Sequence, residues 1–162
     1  MIRNCIDTEV TRILEIINKA AVAYQDAIPS DCFHLPYMNL DELLKEINSG
    51  VVFWAWEEAG IIVGVMGIQQ SKDAMLIRHA YVDPAYQGKG IGSNLLSFLL
   101  KQSVGTILVG TWSAAHWAIR LYQRHGFNLV SEVEKNQLLD TYWTISPRQQ
   151  EVSVVLCQKK MI

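Results

Sequence analysis

The 162-residue chain is 50% hydrophobic and sets 14 lysines and arginines against 16 aspartates and glutamates, a formal net charge of −2. Such a length suits one domain, residues 1–162, with enough apolar material to bury a sizeable core. The well-mixed charges lack the basic stripe that phosphate backbones require, which excludes nucleic acid as the principal partner.

A short strand is predicted at residues 2–6, followed by a helix capped by Asp7 or Thr8 whose Ile13, Ile16, Ile17, Ala20 and Tyr24 follow helical spacing. The segment QDAIPSDCFHLPYMN carries two prolines and reads as a loop. Asn39 then caps a second helix, with Glu42 placed for a capping box and Leu40, Leu43, Leu44 and Ile47 forming one face. VVFWAW and IIVGVMGI flank an EEAG turn as a hairpin, and AMLIRHAYV supplies a third strand after Lys72 and Asp73. A helix with Ile91, Leu95, Phe98 and Leu99 on its stripe leads to the apolar strand TILVG, which implies a parallel crossover. The next helix, from Ala114 to Arg124, should turn Ala114, Trp117, Ala118 and Leu121 inward and stop before Gly126. Two strands, FNLVSEV and EVSVVLC, close the chain, with a loop containing Tyr142, Trp143 and Pro147 between them. The pattern predicts an α/β (α+β) fold with a mixed sheet and helices on both faces.

Cys5, Cys32 and Cys157 match no metal-ligand or redox spacing, so no metal is expected and a reducing, cytoplasmic setting is. The apolar run at residues 60–68 is too short to span a bilayer, and no membrane role is expected. A homodimer is the assembly these readings leave open.

Three glycines within QGKGIGSNLL need a geometric reason, since glycine costs entropy on ordering and packs nothing. Gly88, Gly90 and Gly92 fit neither the dinucleotide fingerprint nor the P-loop. Coming after a strand and opening a helix, residues Gln87, Gly88, Lys89, Gly90, Ile91, Gly92 and Ser93 would aim free N–H groups at one point, beside the positive end of the helix dipole. That is an anion site suited to a pyrophosphate, with Lys89 adding a cation.

YVDPAYQGKGIGSNLL closely resembles the acetyl-CoA signature Q/R-x-x-G-x-G/A of the GNAT N-acetyltransferase superfamily, with Gln87, Gly90 and Gly92 on its defining positions. AIRLYQRHGF is similar to the family's second signature, A-x-x-L-Y-x-x-x-G-F. The resemblance implies a mostly antiparallel central sheet in which the third hairpin strand and TILVG, a parallel pair, splay apart around the pantetheine arm. It implies acetyl-CoA as cosubstrate, with main-chain donors near Ala80, Tyr81 and Val82, and Tyr122 as the acid that protonates the departing thiolate. One departure is Ala115, where family members often carry Asn.

For the base, His79 is the candidate on the third strand, with Glu57 and His34 as alternatives. Strand alternation sets His79 and Arg78 on opposite faces. The acceptor should meet residues 24–39 and 134–150, which offer Phe33, His34, Tyr37, Tyr142 and Trp143 as an enclosure and Arg78 or Arg148 for a carboxylate. The reading is acetyl transfer from acetyl-CoA to a primary amine of a small acceptor by direct attack in a ternary complex. A protein or peptide N-acetyltransferase and a non-catalytic CoA-binding sensor are the alternatives.

Overall fold

A computed structural model describes residues 1–161. Its elements run β1 (Ile2–Asn4), α1 (Val10–Ala21), α2 (Leu40–Asn48), β2 (Val52–Glu58), β3 (Ile61–Ser71), β4 (Ala74–Val82), α3 (Ile91–Gln102), β5 (Gly105–Trp112), α4 (His116–Arg124), β6 (Asn128–Leu129), α5 (Glu132–Tyr142), α6 (Pro147–Glu151) and β7 (Ser153–Lys160). The strands form one sheet in the order β1-β2-β3-β4-β5-β7-β6. Every neighbouring pair is antiparallel except β4–β5, which α3 connects as the expected crossover.

Helices cover both faces because neighbouring strand residues point to opposite sides. Ile77, Ile107 and Val109 pack with Ile91, Leu95 and Leu99 of α3 and with Ile119 and Tyr122 of α4. On the other face, Phe53, Ala55 and Val65 meet Ile13, Ile16 and Ile17 of α1 and Leu43 of α2, while Leu76, Leu108 and Val155 meet Leu139 of α5. The side chain of Asn39 accepts from the Glu42 N–H at 2.9 Å and starts α2 as its sequence predicts. Ala59 and Gly60, both at positive φ, make the turn between β2 and β3, the conformation a two-residue hairpin loop favours.

Four expectations are corrected. FNLVSEV is not a full strand: only Asn128 and Leu129 pair with β7, and Ser131 then accepts from the Glu134 N–H at 3.2 Å to cap α5. The chain after it, expected as a loop, forms α5 and the short α6, each opened by a capping serine. On α4 the buried positions are Ile119 and Tyr122, with Ala115 at the cap, while Trp117 is exposed. The inward stripe therefore runs 115, 119, 122, displaced from the predicted one. On α2, Leu43 alone is fully buried, and Leu40 and Leu44 face outward.

Two irregularities in β4 shape the centre of the molecule. Its pairing with β3 shifts register between Val65↔Tyr81 and Gly67↔Arg78, so His79 and Ala80 together oppose Met66. This is a bulge, and His79 takes the extra turn at φ +54°. Pairing of β4 with β5 runs only from Ala74↔Thr106 to Ile77↔Val109. Beyond that point β4 stays with β3 and β5 stays with β7, and a gap opens between them.

Candidate active site

Two cavities meet at this gap. The first, about 450 Å³, lies between the ends of β4 and β5 and the start of α4, with walls from Ala80, Tyr81, Val82, Gln87, Gly92, Gly110, Trp117 and Tyr122. The second, about 350 Å³, lies on the α2 side, with walls from His34, Tyr37, Glu42, Glu46, Arg78, His79, Trp112 and Trp143. Tyr24, Ile77, His79, Tyr81, Gly110 and Thr111 belong to both.

The first cavity ends on the glycine loop. The buried Asp83 carboxylate accepts from the Ala85 N–H and from Arg12, each at 3.0 Å, and so fixes the turn that leaves β4. Burial pushes this carboxyl up, but those two partners outweigh it and hold its pKa low. Gln87 then donates from its amide nitrogen to the Val82 carbonyl at 3.0 Å. Gly88 and Gly90 sit at φ +81° and +78°, a region that L side chains avoid, and Gly90 is the cap of α3. No side chain accepts from the helix end, so its first N–H groups point outward unpaired.

Lys89 reaches over the Tyr86 ring at 5.1 Å beside the loop. Ile91 contributes only its main chain there, because its side chain is in the core. Ser93 Oγ is engaged with His125 Nε2 at 3.0 Å, and His125 Nδ1 with the Leu121 carbonyl at 2.9 Å, which ties α3 to α4.

Along the strand, Asp83 donates its N–H to Val63 at 2.8 Å. Amide direction alternates in a strand, so the N–H groups of Ala80 and Val82 turn toward the gap while that of Tyr81 turns toward β3. The Tyr81 ring lines both cavities instead, and its hydroxyl is buried among those of Tyr24 and Tyr37, which raises its pKa well above 10. Tyr122 is 5% exposed and stands edge-on to Phe127 at 5.7 Å. Burial pushes its phenol pKa up, with the nearby Tyr24 adding to the effect, so the group keeps its proton. Its hydroxyl makes no hydrogen bond among the described residues.

In the second cavity, Arg78 and His79 converge on one carboxylate. Glu46 Oε1 lies 3.1 Å from the Arg78 guanidinium, and Oε2 comes within 2.5 Å of His79 Nε2, off the line of a regular hydrogen bond. The expectation that these two strand neighbours face opposite ways is thus corrected by the bulge. Burial raises the Glu46 carboxyl, but its contact with His79 and the charge of Arg78 prevail and leave its pKa lowered. The second nitrogen of Arg78 binds Gln69 at 3.1 Å.

Tyr37 accepts from the Trp112 indole at 2.9 Å, and burial moves its phenol pKa up to about 12. Trp143 lies over Gly110, where a Cβ would come within 3.3 Å of the indole. His34 is on the wall, but Phe33 is not: it packs behind, against Tyr37 at 6.3 Å. Arg148 is held by Asp31 at 2.9 Å and joins the two segments expected to enclose the acceptor. Glu57 is bound to Arg3 at 2.9 Å and lines neither cavity.

Sequence reasoning missed Glu46, although an acidic residue flanking the inward Leu43 and Ile47 was a signal. It also missed Thr111 and the three-tyrosine cluster, whose members lie far apart along the chain.

Residues 48–129, half of the chain, match the acetyltransferase (GNAT) domain. The chain belongs to the GNAT acetyltransferase family. It is 29% identical over 92 residues to an N-acetylaspartate synthetase of Danio rerio, covering 53% of this chain and 33% of that protein. The corresponding protein of Xenopus tropicalis is 31% identical over 91 residues, covering 52% and 34%. The GNAT chain thus matches about a third of the length of these curated relatives.

Its fold is similar to that of the ribosomal-protein-S18-alanine N-acetyltransferase of Escherichia coli, with TM-score 0.72, 18% identity and coverage of 100% and 94%. It is also similar to yncA of Salmonella typhimurium, described with its cofactor acetyl-CoA, with TM-score 0.65, 23% identity and coverage of 98% and 92%. Among the described residues no helix is long and apolar enough to cross a membrane, and no cluster of three His, Cys, Asp or Glu side chains could hold a metal ion.

Proposed function

We propose that this GNAT chain transfers the acetyl group of acetyl-CoA to the primary amine of a small acceptor, by direct attack in a ternary complex. One observation carries the reading. The β4–β5 gap joins a cavity ending on unpaired amides to a cavity lined by titratable side chains.

The amides of residues 88–93 and Lys89 suit a pyrophosphate, and the positive φ of Gly88 and Gly90 leaves the loop's outer side clear of side chains. Pantetheine fits the first cavity, with its carbonyls facing the Ala80 and Val82 N–H groups. The same donors stabilise negative charge as it develops on the acetyl oxygen. His79 takes a proton from the acceptor ammonium, directly or through one water, and the freed nitrogen forms the new C–N bond as the C–S bond breaks. Tyr122, protonated and inside the first cavity, gives its proton to the departing sulfur, and the second proton shed by the nitrogen as the amide forms restores the phenol.

A small acceptor is favoured because Trp143, on the wall of the second cavity, lies against Gly110, and the Arg148–Asp31 pair joins the two flanking segments. The relatives' name raises aspartate as an acceptor. Here, however, Arg78 is already engaged by Glu46 and Gln69, and Glu42 adds a carboxylate to the same wall. An amine without a carboxylate suits that wall better.

The test is thiol release from acetyl-CoA across a panel of amines that includes aspartate and peptides, with mass detection of products. Turnover of small amines supports the reading. Turnover of peptides alone would assign the chain to protein acetylation, and tight CoA binding without release to any acceptor would leave a sensor.

A further inference from the structure

We infer that Glu46 of α2 is a positioning residue for the acetyl transfer, fixing which nitrogen of His79 is free to accept the acceptor's proton; this rests on the reading of His79 as the base. The observation is a close contact, off the line of a regular hydrogen bond, that two facing lone pairs could not hold. Glu46 Oε2 and His79 Nε2 are 2.5 Å apart, and two bare lone pairs would repel at that separation.

The carboxyl, with Arg78 on its other oxygen at 3.1 Å, is held ionised. A proton on one of the two atoms relieves that repulsion, and with the carboxyl ionised it belongs to Nε2. A neutral imidazole carries one N–H, so Nδ1 is left with the lone pair. Nδ1 makes no hydrogen bond among the described residues, and the ring lines both cavities.

The backbone is committed to this arrangement. His79 holds φ +54°, costly for a residue with a Cβ, and the bulge it forms turns the imidazole to the same side as Arg78. Phe53 stacks against the ring at 6.1 Å between centroids. Strain of this kind persists where neighbours over-determine it, and Glu46 is the neighbour supplying polar contact to both strand residues. The remaining ionisable groups on this wall are Glu42 on α2, Tyr24, Cys32, His34 and Tyr37 in the segment before it, and Tyr81 on β4. None of them bonds to the imidazole.

A direct test needs no substitution. In the ¹⁵N spectrum of histidine-labelled protein at alkaline pH, His79 is expected as a single Nε2–H tautomer with an unprotonated Nδ1. An Nδ1–H tautomer, or rapid averaging of the two, overturns the inference. A double-mutant cycle adds a kinetic test. Glu46→Gln is expected to lower kcat/KM for the acceptor by about ten- to a hundredfold, part of the effect a general base carries, with the KM for acetyl-CoA unchanged. In a His79→Gln background the same change should cost almost nothing further. Equal losses in both backgrounds would show that Glu46 acts independently of His79 and overturn the inference. A His79→Gln protein with native kcat/KM and pH profile would remove the base assignment itself, an outcome distinct from failure of the Glu46 contact.

Discussion

The cavity on the α3–α4 side of the gap ends on main chain, at the glycine loop and the start of α3, whereas the polar wall of the cavity on the α2 side is made of side chains. Gly92 and the main chain of Ala80 and Val82 line the first, which ends on the loop of Gly88 and Gly90, and Glu46, Arg78, His79, Tyr37 and Trp143 line the second. A main-chain site binds a group that does not vary, since amide positions follow from the turn and the helix start. A side-chain site can be refitted to a different acceptor with the fold unchanged. The two halves should therefore respond separately to substitution.

The largest effect is expected where main-chain geometry is attacked. Gly90→Glu strains a residue at φ +78° and sets a carboxylate against the anion site. Its acetyl-CoA affinity should fall on the order of 10²-fold or more, the scale of a strained backbone plus a like-charge contact. Calorimetry on the folded variant checks this, and unchanged affinity would break the assignment of the first cavity. Tyr122→Phe keeps the ring and removes only the hydroxyl. The single-turnover rate should drop on the order of 10²-fold, as for loss of a general acid, with acetyl-CoA affinity and Tm close to native. A native rate would make Tyr122 a core residue.

Gly67→Ala probes the other half. A Cβ there would lie 2.9 Å from the Arg78 carbonyl and 2.9 Å from Val51, against the bulge itself. Overpacking of this kind costs about 1–3 kcal/mol. Kinetics should show a lower kcat/KM for the acceptor beside an unchanged acetyl-CoA affinity. Loss of both in a folded protein would mean the two halves are not separable.

These expectations track how much could be read before the structure. The turn and helix start at residues 87–93 were legible because glycines at fixed spacing state a main-chain conformation directly, and the position of Tyr122 on α4 because a second motif places it. The α2-side cavity was not, since nothing in RHAYV announces a non-glycine residue at φ +54°, and strand alternation sent Arg78 and His79 apart. With the bulge, both reach Glu46. The α5 helix was missed for a local reason. FNLV has strand character, but the serine cap at Ser131, two residues past the end of β6, decides the structure.

The smallest expected effect is on stability in acid. Glu46 is held below the ordinary glutamate value of 4.5, so its contribution is complete above that pH and is lost as the pH falls through its lower folded value. Thermal melts taken from pH 7 down to pH 3 should show a steeper fall of Tm below about 4.5 for the native protein than for Glu46→Gln. Parallel curves would show that Glu46 contributes nothing to folding through its charge.

The most direct measurement of the central claim is acetyl transfer itself, followed as free thiol and as acceptor mass in the same reaction. With acetyl-CoA and a panel of small amines, the two-cavity account predicts one thiol released per acceptor made one acetyl group heavier, with both signals strongly reduced in Tyr122→Phe. Thiol release without an acetylated acceptor, or acetyl-CoA bound with neither signal across the panel, would contradict it.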